Sequence, residues 1–244
     1  MKFEDIKKLH HKKYREEFGY FLLEGEHLVQ ELQKAAKRDQ RLCDSEIYVT
    51  SEYAHWRTDL KTHVVNGRHM AQLSETRSPQ GVAAVVPLLV APAPLPGERA
   101  IYLHEIQDPG NLGTILRTLA WFGKFRCLLS PDSVDPHNGK VVRASMGAIF
   151  HVPIEIDVPM DSLPKRVASL ASLEFKGRSI ATTAFRNFDC YLFGNEARGL
   201  QPEALAAVKA QPFTIGGTGT MESLNVATAV NIALYELHRQ PTNR

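Results

Sequence analysis

Phe193-Gly194-Asn195-Glu196-Ala197-Arg198-Gly199-Leu200 closes one apolar run and opens the next. The apolar residues 190–193 read as a buried strand, and Gly194 supplies a point where backbone can approach a ligand closely. Residues 200–210 then read as a helix, so the stretch is a strand-to-helix junction carrying one acid and one base. Two further stretches flank it. Upstream lies Asp108-Pro109-Gly110-Asn111-Leu112-Gly113-Thr114-Ile115-Leu116-Arg117-Thr118; downstream lies Ile215-Gly216-Gly217-Thr218-Gly219-Thr220-Met221-Glu222-Ser223-Leu224-Asn225-Val226-Ala227. Each on its own is compatible with an ordinary turn leading into a helix.

Working outward, the second half of the chain alternates strand and helix, which predicts an α/β fold with a largely parallel sheet. Strands are expected at 100–104, 125–130, 179–183, 190–193 and 212–215, and helices at 112–122, 161–173, 200–210 and 224–238. Asn111 suits a helix N-cap and Gly123 a helix end. Between them Leu112, Ile115, Leu116 and Leu119 form one face, and Thr114, Arg117, Thr118 and Trp121 the other. In the last helix Val226, Ala229, Val230, Ala233, Leu234 and Leu237 repeat at helical spacing. That stripe needs a partner, either the sheet or a second subunit.

The first half is separated by Ala91-Pro92-Ala93-Pro94-Leu95-Pro96-Gly97-Glu98-Arg99, whose alternating prolines favour an extended spacer. The domains are therefore placed at 1–90 and 100–244, with 91–99 between them. Residues 1–90 mix strands at 20–23, 46–50, 63–65 and 81–86 with a helix at 26–37. A second helix is expected from a Ser51 cap to Leu60.

Composition excludes several classes. No apolar run approaches the length of a membrane span, and the charged start MKFEDIKKLHHKKYREEF lacks the apolar core of a secretory signal. The three cysteines are odd in number and widely spaced, which argues against a disulfide framework or zinc site and fits a reducing cytoplasm. The ten histidines lack metal spacing, so no metal is expected. A net charge of +2 does not announce a nucleic-acid binder. Residues 1–15 do hold six Lys/Arg against two acids, which suits either phosphate contact or a solvated, partly disordered terminus. The glycine-rich run 216–220 lacks the ending of a P-loop and does not complete a dinucleotide fingerprint.

Taken together, the three blocks resemble the three motifs of the SpoU branch of the SPOUT methyltransferases, over roughly residues 100–240. The resemblance implies a deep-trefoil-knot α/β domain that moves a methyl group from S-adenosylmethionine to a ribose 2′-hydroxyl of RNA, rRNA or tRNA, within a homodimer. Phe21–Val29 and Leu73–Val82 are more loosely similar to the small α/β RNA substrate-binding domain often fused before it. By the same resemblance Arg117, Asn111, Glu196, Ser223 and Asn225 are the catalytic candidates. Gly194, Ile215, Met221 and Leu224 are the cofactor contacts, and Arg198, Lys140 and Arg143 the RNA contacts. A sulfonium methyl is transferred by in-line displacement, and a ribose hydroxyl needs activation to attack it. Arginine is a poor proton acceptor, so Arg117 is better suited to clamping a phosphate and stabilising developing negative charge. Ser223 and Asn225 suit helix capping equally well, and Lys140 and Arg143 could as well form a plain charged face. Two other classes stay in view, a non-catalytic RNA-binding protein with the same fold and a base methyltransferase.

Overall fold

The computed structural model describes residues 1–76 and 78–239 and divides into two compact units. The first comprises Met1–Val90 together with Asp135–His151, and the second Ala91–Val134 together with Val152–Arg244. In chain order the helices are α1 Phe3–Ile6, α2 Lys12–Phe18, α3 Glu26–Ala36, α4 Gly67–Leu73, α5 Pro109–Phe122, α6 Gly139–Ser145, α7 Pro202–Val208 and α8 Val226–His238. The strands are β1 Tyr20–Glu24, β2 Glu46–Val49, β3 Lys61–Val64, β4 Val82–Pro87, β5 Arg99–Leu103, β6 Phe125–Leu129, β7 Ile154–Glu155, β8 Leu170–Ser179, β9 Cys190–Phe193 and β10 Gln211–Thr214.

In the first unit the sheet runs β1-β4-β2-β3, antiparallel except for the β2–β3 pair. Ile6, Leu9, Tyr48, Met70, Leu73, Ala83 and Val85 form a core beneath α1, α2 and α4. The basic terminus is thus helical, and its charges are partly answered within it: Lys8 pairs with Asp5 at 2.8 Å and Lys12 with Glu16 at 3.6 Å. Residues 135–151 pack into this unit. α6 lies on β1, and the buried Arg15 donates to Asp135 Oδ2 from Nε at 3.0 Å. Burial alone would raise the Asp135 pKa, but the His137 hydrogen bond and the Arg15 charge hold its carboxyl well below the usual range.

The helix expected over 51–60 does not form; only a 3₁₀ turn, Ser51–Tyr53, is present. Side chains compete for the backbone there: Thr58 Oγ1 accepts from Leu60 N at 3.1 Å, and Gln33 Nε2 donates to the Arg57 carbonyl at 3.1 Å. Strand β3 begins two residues earlier than expected.

The second unit holds a six-stranded sheet ordered β10-β8-β9-β5-β6-β7, and every neighbouring pair is parallel. All residues of β6 and β9 are buried, as parallel strands covered on both faces require. Two expectations fail between them. The helix placed at 161–173 is a 3₁₀ turn, Met160–Lys165, interrupted by Pro164, and the chain then enters β8 at Leu170. The strand placed at 179–183 is the tail of β8 followed by another 3₁₀ turn at Thr183–Asn187. Apolar Leu170 and Ala171 are buried in the sheet beside β9, where tertiary pairing overrides local preference. α8 packs against α5, so Val226, Val230, Ala233, Leu234 and Leu237 are buried inside this unit and do not form a free stripe. Thr118, placed on the outer face of α5 by spacing, is buried and hydrogen-bonded to Asn231 of α8.

Candidate active site

Because the sheet is parallel, the loops that follow β5, β9 and β10 all leave from one edge, the carboxyl edge where α/β sheets form their sites. These loops are residues 104–108, 194–201 and 215–225; they carry most of the second and third sequence blocks and lead into the first, which begins at Asp108 and runs on into α5.

Hydrogen bonds join the blocks. Asn225 Nδ2 donates to Asn111 Oδ1 at 2.9 Å, and Asn111 Nδ2 donates to Glu196 Oε1 at 3.2 Å. The Glu196 carboxylate also accepts from the backbone N–H groups of Gln107 at 3.4 Å and Asp108 at 3.3 Å. Each amide in this chain is oriented by local structure. Asn225 caps α8, its Oδ1 accepting from Thr228 N at 3.2 Å, which leaves its NH₂ free to face Asn111. Asn111 is not the cap of α5. Asp108 holds that position, accepting from Asn111 N at 2.7 Å, with Pro109 in the first turn. The Asn111 side chain is thereby released to bridge Asn225 and Glu196.

The loop after β9 is folded on itself. Asn195 Oδ1 accepts from Ala197 N at 3.0 Å and Arg198 N at 3.1 Å, while its Nδ2 donates to the Glu105 carbonyl at 2.7 Å. A side chain on Gly194 would overlap the Gly199 and Leu200 backbone. The close approach that requires glycine here is to the protein's own chain. Arg198 Nη2 donates to Glu105 Oε2 at 2.6 Å. The adjoining His104 is half-buried, and burial lowers its pKa.

The other expected residues make no side-chain hydrogen bond to Asn111, Glu196 or Asn225. The chain of hydrogen bonds linking Asn111, Glu196 and Asn225 does not include Arg117, which is exposed on α5. Six residues along a helix place it about 9 Å further on and about a third of a turn round from Asn111. Ser223 is exposed in the loop before α8 and is not its cap. Ile215 is half-buried, whereas Met221 and Leu224 are 76% and 50% exposed. Around Gly216 and Gly217 nothing lies within 4 Å of a would-be Cβ. Exposed apolar side chains beside unobstructed backbone offer what an adenosine and a methionine chain would use, apolar contact from Met221 and Leu224 and main-chain polar groups at Gly216 and Gly217. Lys140 and Arg143 belong to the first compact unit, where Arg143 faces Glu24 at 3.6 Å and Glu75 at 3.4 Å. Arg143 is therefore engaged by carboxylates, while Lys140 is exposed.

Sequence reading missed Asp108, Asn195 and Glu105. Asn195 had a signal, an Asn directly after a strand-ending glycine, where the side chain can close its own turn. Glu105 had none. Among the described residues no group of three or more His, Cys, Asp or Glu could hold a metal ion, and no helix is long and apolar enough to cross a membrane. Burial pushes the Cys127 and Cys190 thiols up to about 12, which leaves them inert as nucleophiles.

Residues 98–235 match the model of the SpoU rRNA Methylase family, and residues 2–84 match the MRM3-like substrate binding domain. The 23S rRNA (guanosine(2553)-2′-O)-methyltransferase RlmP of Bacillus subtilis is 32% identical, covering 97% of this chain and 95% of the relative. A protein of Porphyromonas gingivalis described as an RNA methyltransferase of the TrmH family superposes with a TM-score of 0.82 at 28% identity, covering 97% and 96% of the two chains. An AdoMet-bound rRNA methyltransferase from Sinorhizobium meliloti superposes with a TM-score of 0.80 at 27% identity, covering 96% and 93%.

Proposed function

Because this chain belongs to the SpoU rRNA methylase family, we propose that it methylates a ribose 2′-hydroxyl of ribosomal RNA. It is an RNA methyltransferase, and its cofactor is S-adenosylmethionine. The ribose position and the ribosomal substrate are supported by the similarity to RlmP along nearly the whole of both chains. The observation that carries the reading is the Asn225–Asn111–Glu196 chain of hydrogen bonds, which ties the first turn of α5 to the loops after β9 and β10 at the carboxyl edge of the sheet. A non-catalytic RNA-binding protein would have no need of this arrangement.

S-adenosylmethionine supplies an electrophilic methyl group, and the loops 194–200 and 215–224 would hold it, with Gly194, Ile215, Met221 and Leu224 at the contacts. The remaining work falls to side chains. Glu196 fastens the loop that precedes α5, so its carboxylate fixes where Asn111 points. Asn111 and Asn225 present oriented amides to the acceptor ribose, with Ser223 beside them. Arg117 clamps the neighbouring phosphate and stabilises charge developing on the ribose oxygen. Arg198 and Lys140 add phosphate contacts.

A second copy completes the site in this reading, and the segment 190–225 is threaded as a knot. Arg117 stands off from the amide cluster of its own chain, so an Arg117 from a partner subunit would fill the gap. The exposed Trp121 and Tyr235 on α5 and α8 offer it an apolar surface. Light scattering should give twice the chain mass, and the chain mass alone would contradict the dimer. We place the reaction in the cytoplasm, a reducing compartment that suits the free cysteines Cys43, Cys127 and Cys190. The substrate is tested by offering deproteinised 23S rRNA, 16S rRNA and tRNA in parallel and mapping hydrolysis-resistant linkages. Methylation confined to tRNA would overturn the ribosomal assignment.

A further inference from the structure

Glu105 sits immediately after β5 with φ of +50°, a left-handed conformation in which glycine is the default and glutamate is disfavoured. The conformation is held from both sides. Its backbone N–H donates to Ser130 Oγ at 2.7 Å, and its carbonyl accepts from Asn195 Nδ2 at 2.7 Å. A strained residue held so firmly aims its side chain, and this one points a carboxylate at the motif-two loop, where Arg198 Nη2 meets it at 2.6 Å. His104 Nε2 stands 3.5 Å from the other carboxylate oxygen.

We propose that Glu105 is a placeholder for a substrate phosphate: it holds the Arg198 guanidinium in the free enzyme and releases it to the RNA backbone on binding. The proposal rests on the RNA methyltransferase reading above and deepens it. Carboxylate and phosphate are alternative acceptors for the same planar fork of donors, so one can replace the other without moving the backbone. Arg198 is 66% exposed and Glu105 29%, so the exchange needs only a rotation of the arginine side chain. The loop itself stays put, because Asn195 closes its turn and Glu196 is bonded to the segment before α5. Once vacated, the Glu105 carboxylate repels any phosphate that arrives out of register. Glu105 is thus a positioning and specificity residue, acting through Arg198.

The test compares wild type, Glu105→Gln, Arg198→Ala and the double variant, all as full chains, binding a 23S rRNA transcript and poly(U) at low salt. Glu105→Gln keeps the size and hydrogen-bonding reach of the side chain, and Glu105→Gly is the control that relieves the backbone. With the competitor removed, both should bind the transcript about two- to fivefold more tightly, the scale of one exposed ion pair. Poly(U) should gain at least as much, so discrimination falls. KM for RNA should drop while kcat does not rise, and S-adenosylmethionine affinity should hold. In the Arg198→Ala background Glu105→Gln should tighten binding clearly less than it does beside Arg198, because no guanidinium is left to release and only the repulsion from the unpaired carboxylate is removed. Equal or weaker RNA binding by Glu105→Gln, or the same tightening without Arg198, would overturn the proposal. Binding is read without methyl transfer, so a wild type that bound the transcript but left every ribose unmethylated would remove only the reading beneath it.

Discussion

Replacing Asn225 separates helix capping from the amide chain of the site, because its two functions use different atoms. Oδ1 caps α8 through Thr228 N, and Nδ2 reaches Asn111. Asn225→Ala removes both. The lost cap costs about 1 kcal/mol. Asn225 is exposed, so water replaces its bond to Asn111 at little further cost. For a chain of this size that corresponds to a melting temperature lower by about 2–4 °C. Asn225→Asp keeps the capping oxygen and adds a negative charge at a helix N-terminus, which is stabilising by roughly 0.3–1 kcal/mol. Yet it has no N–H for Asn111 and places a carboxylate against the Asn111 carbonyl oxygen. The aspartate variant should therefore melt at or above wild type while losing at least about tenfold in turnover, up to the hundredfold scale of a lost oriented donor. The assay is incorporation of labelled methyl into rRNA at saturating cofactor and RNA, beside thermal melts of each variant. Wild-type turnover in Asn225→Asp would show that the Asn225–Asn111 bond has no part in the reaction.

Arg117→Ala should lower turnover by about a hundredfold with S-adenosylmethionine affinity, read by calorimetry, barely moved, and Arg117→Lys should restore little, since an ammonium cannot reproduce a bidentate fork. Gly194→Ala should destabilise the second unit by about 1–3 kcal/mol in denaturant titration, because the new methyl meets the Gly199–Leu200 backbone. In the first unit the hydrogen bond to Glu75 raises the His10 pKa above its ordinary 6.5. That stabilisation is complete below about pH 6.5 and fades as pH rises through the raised value. The melting deficit of His10→Ala should accordingly be larger near pH 6 than near pH 8.5. A fragment starting at the proline spacer should expose Val141, Val142, Ala148 and Ile149, which are buried in the first unit, and so should aggregate or bind a hydrophobic dye more than the full chain does.

What the sequence made legible follows from how local each signal is. β9 and α8 were clear because a short buried run and a long helical repeat depend on little beyond their own residues. Asn225 as a cap was readable for the same reason. Asn111 was misassigned because Asp108, three residues earlier, outcompetes it for the free N–H groups of α5. β8 was hidden because Leu170–Ser172 become strand only by lying between β9 and β10, partners distant in sequence. The grouping of 135–151 with the first unit has no sequence mark, since it depends on ion pairs such as Arg15–Asp135, 120 residues apart. Of the site, the residue types were visible in the motifs. The links among them were not, and neither was Glu105, whose left-handed backbone is imposed by Ser130 and Asn195.

The most direct measurement is mass spectrometry of nucleosides from rRNA incubated with the purified protein and deuteromethyl-labelled S-adenosylmethionine. Labelled 2′-O-methylnucleoside, formed about a hundredfold more slowly in an Arg117→Ala reaction run in parallel, is the predicted result. Label on a base, or no labelled nucleoside from any rRNA supplied unmethylated, would contradict the assignment.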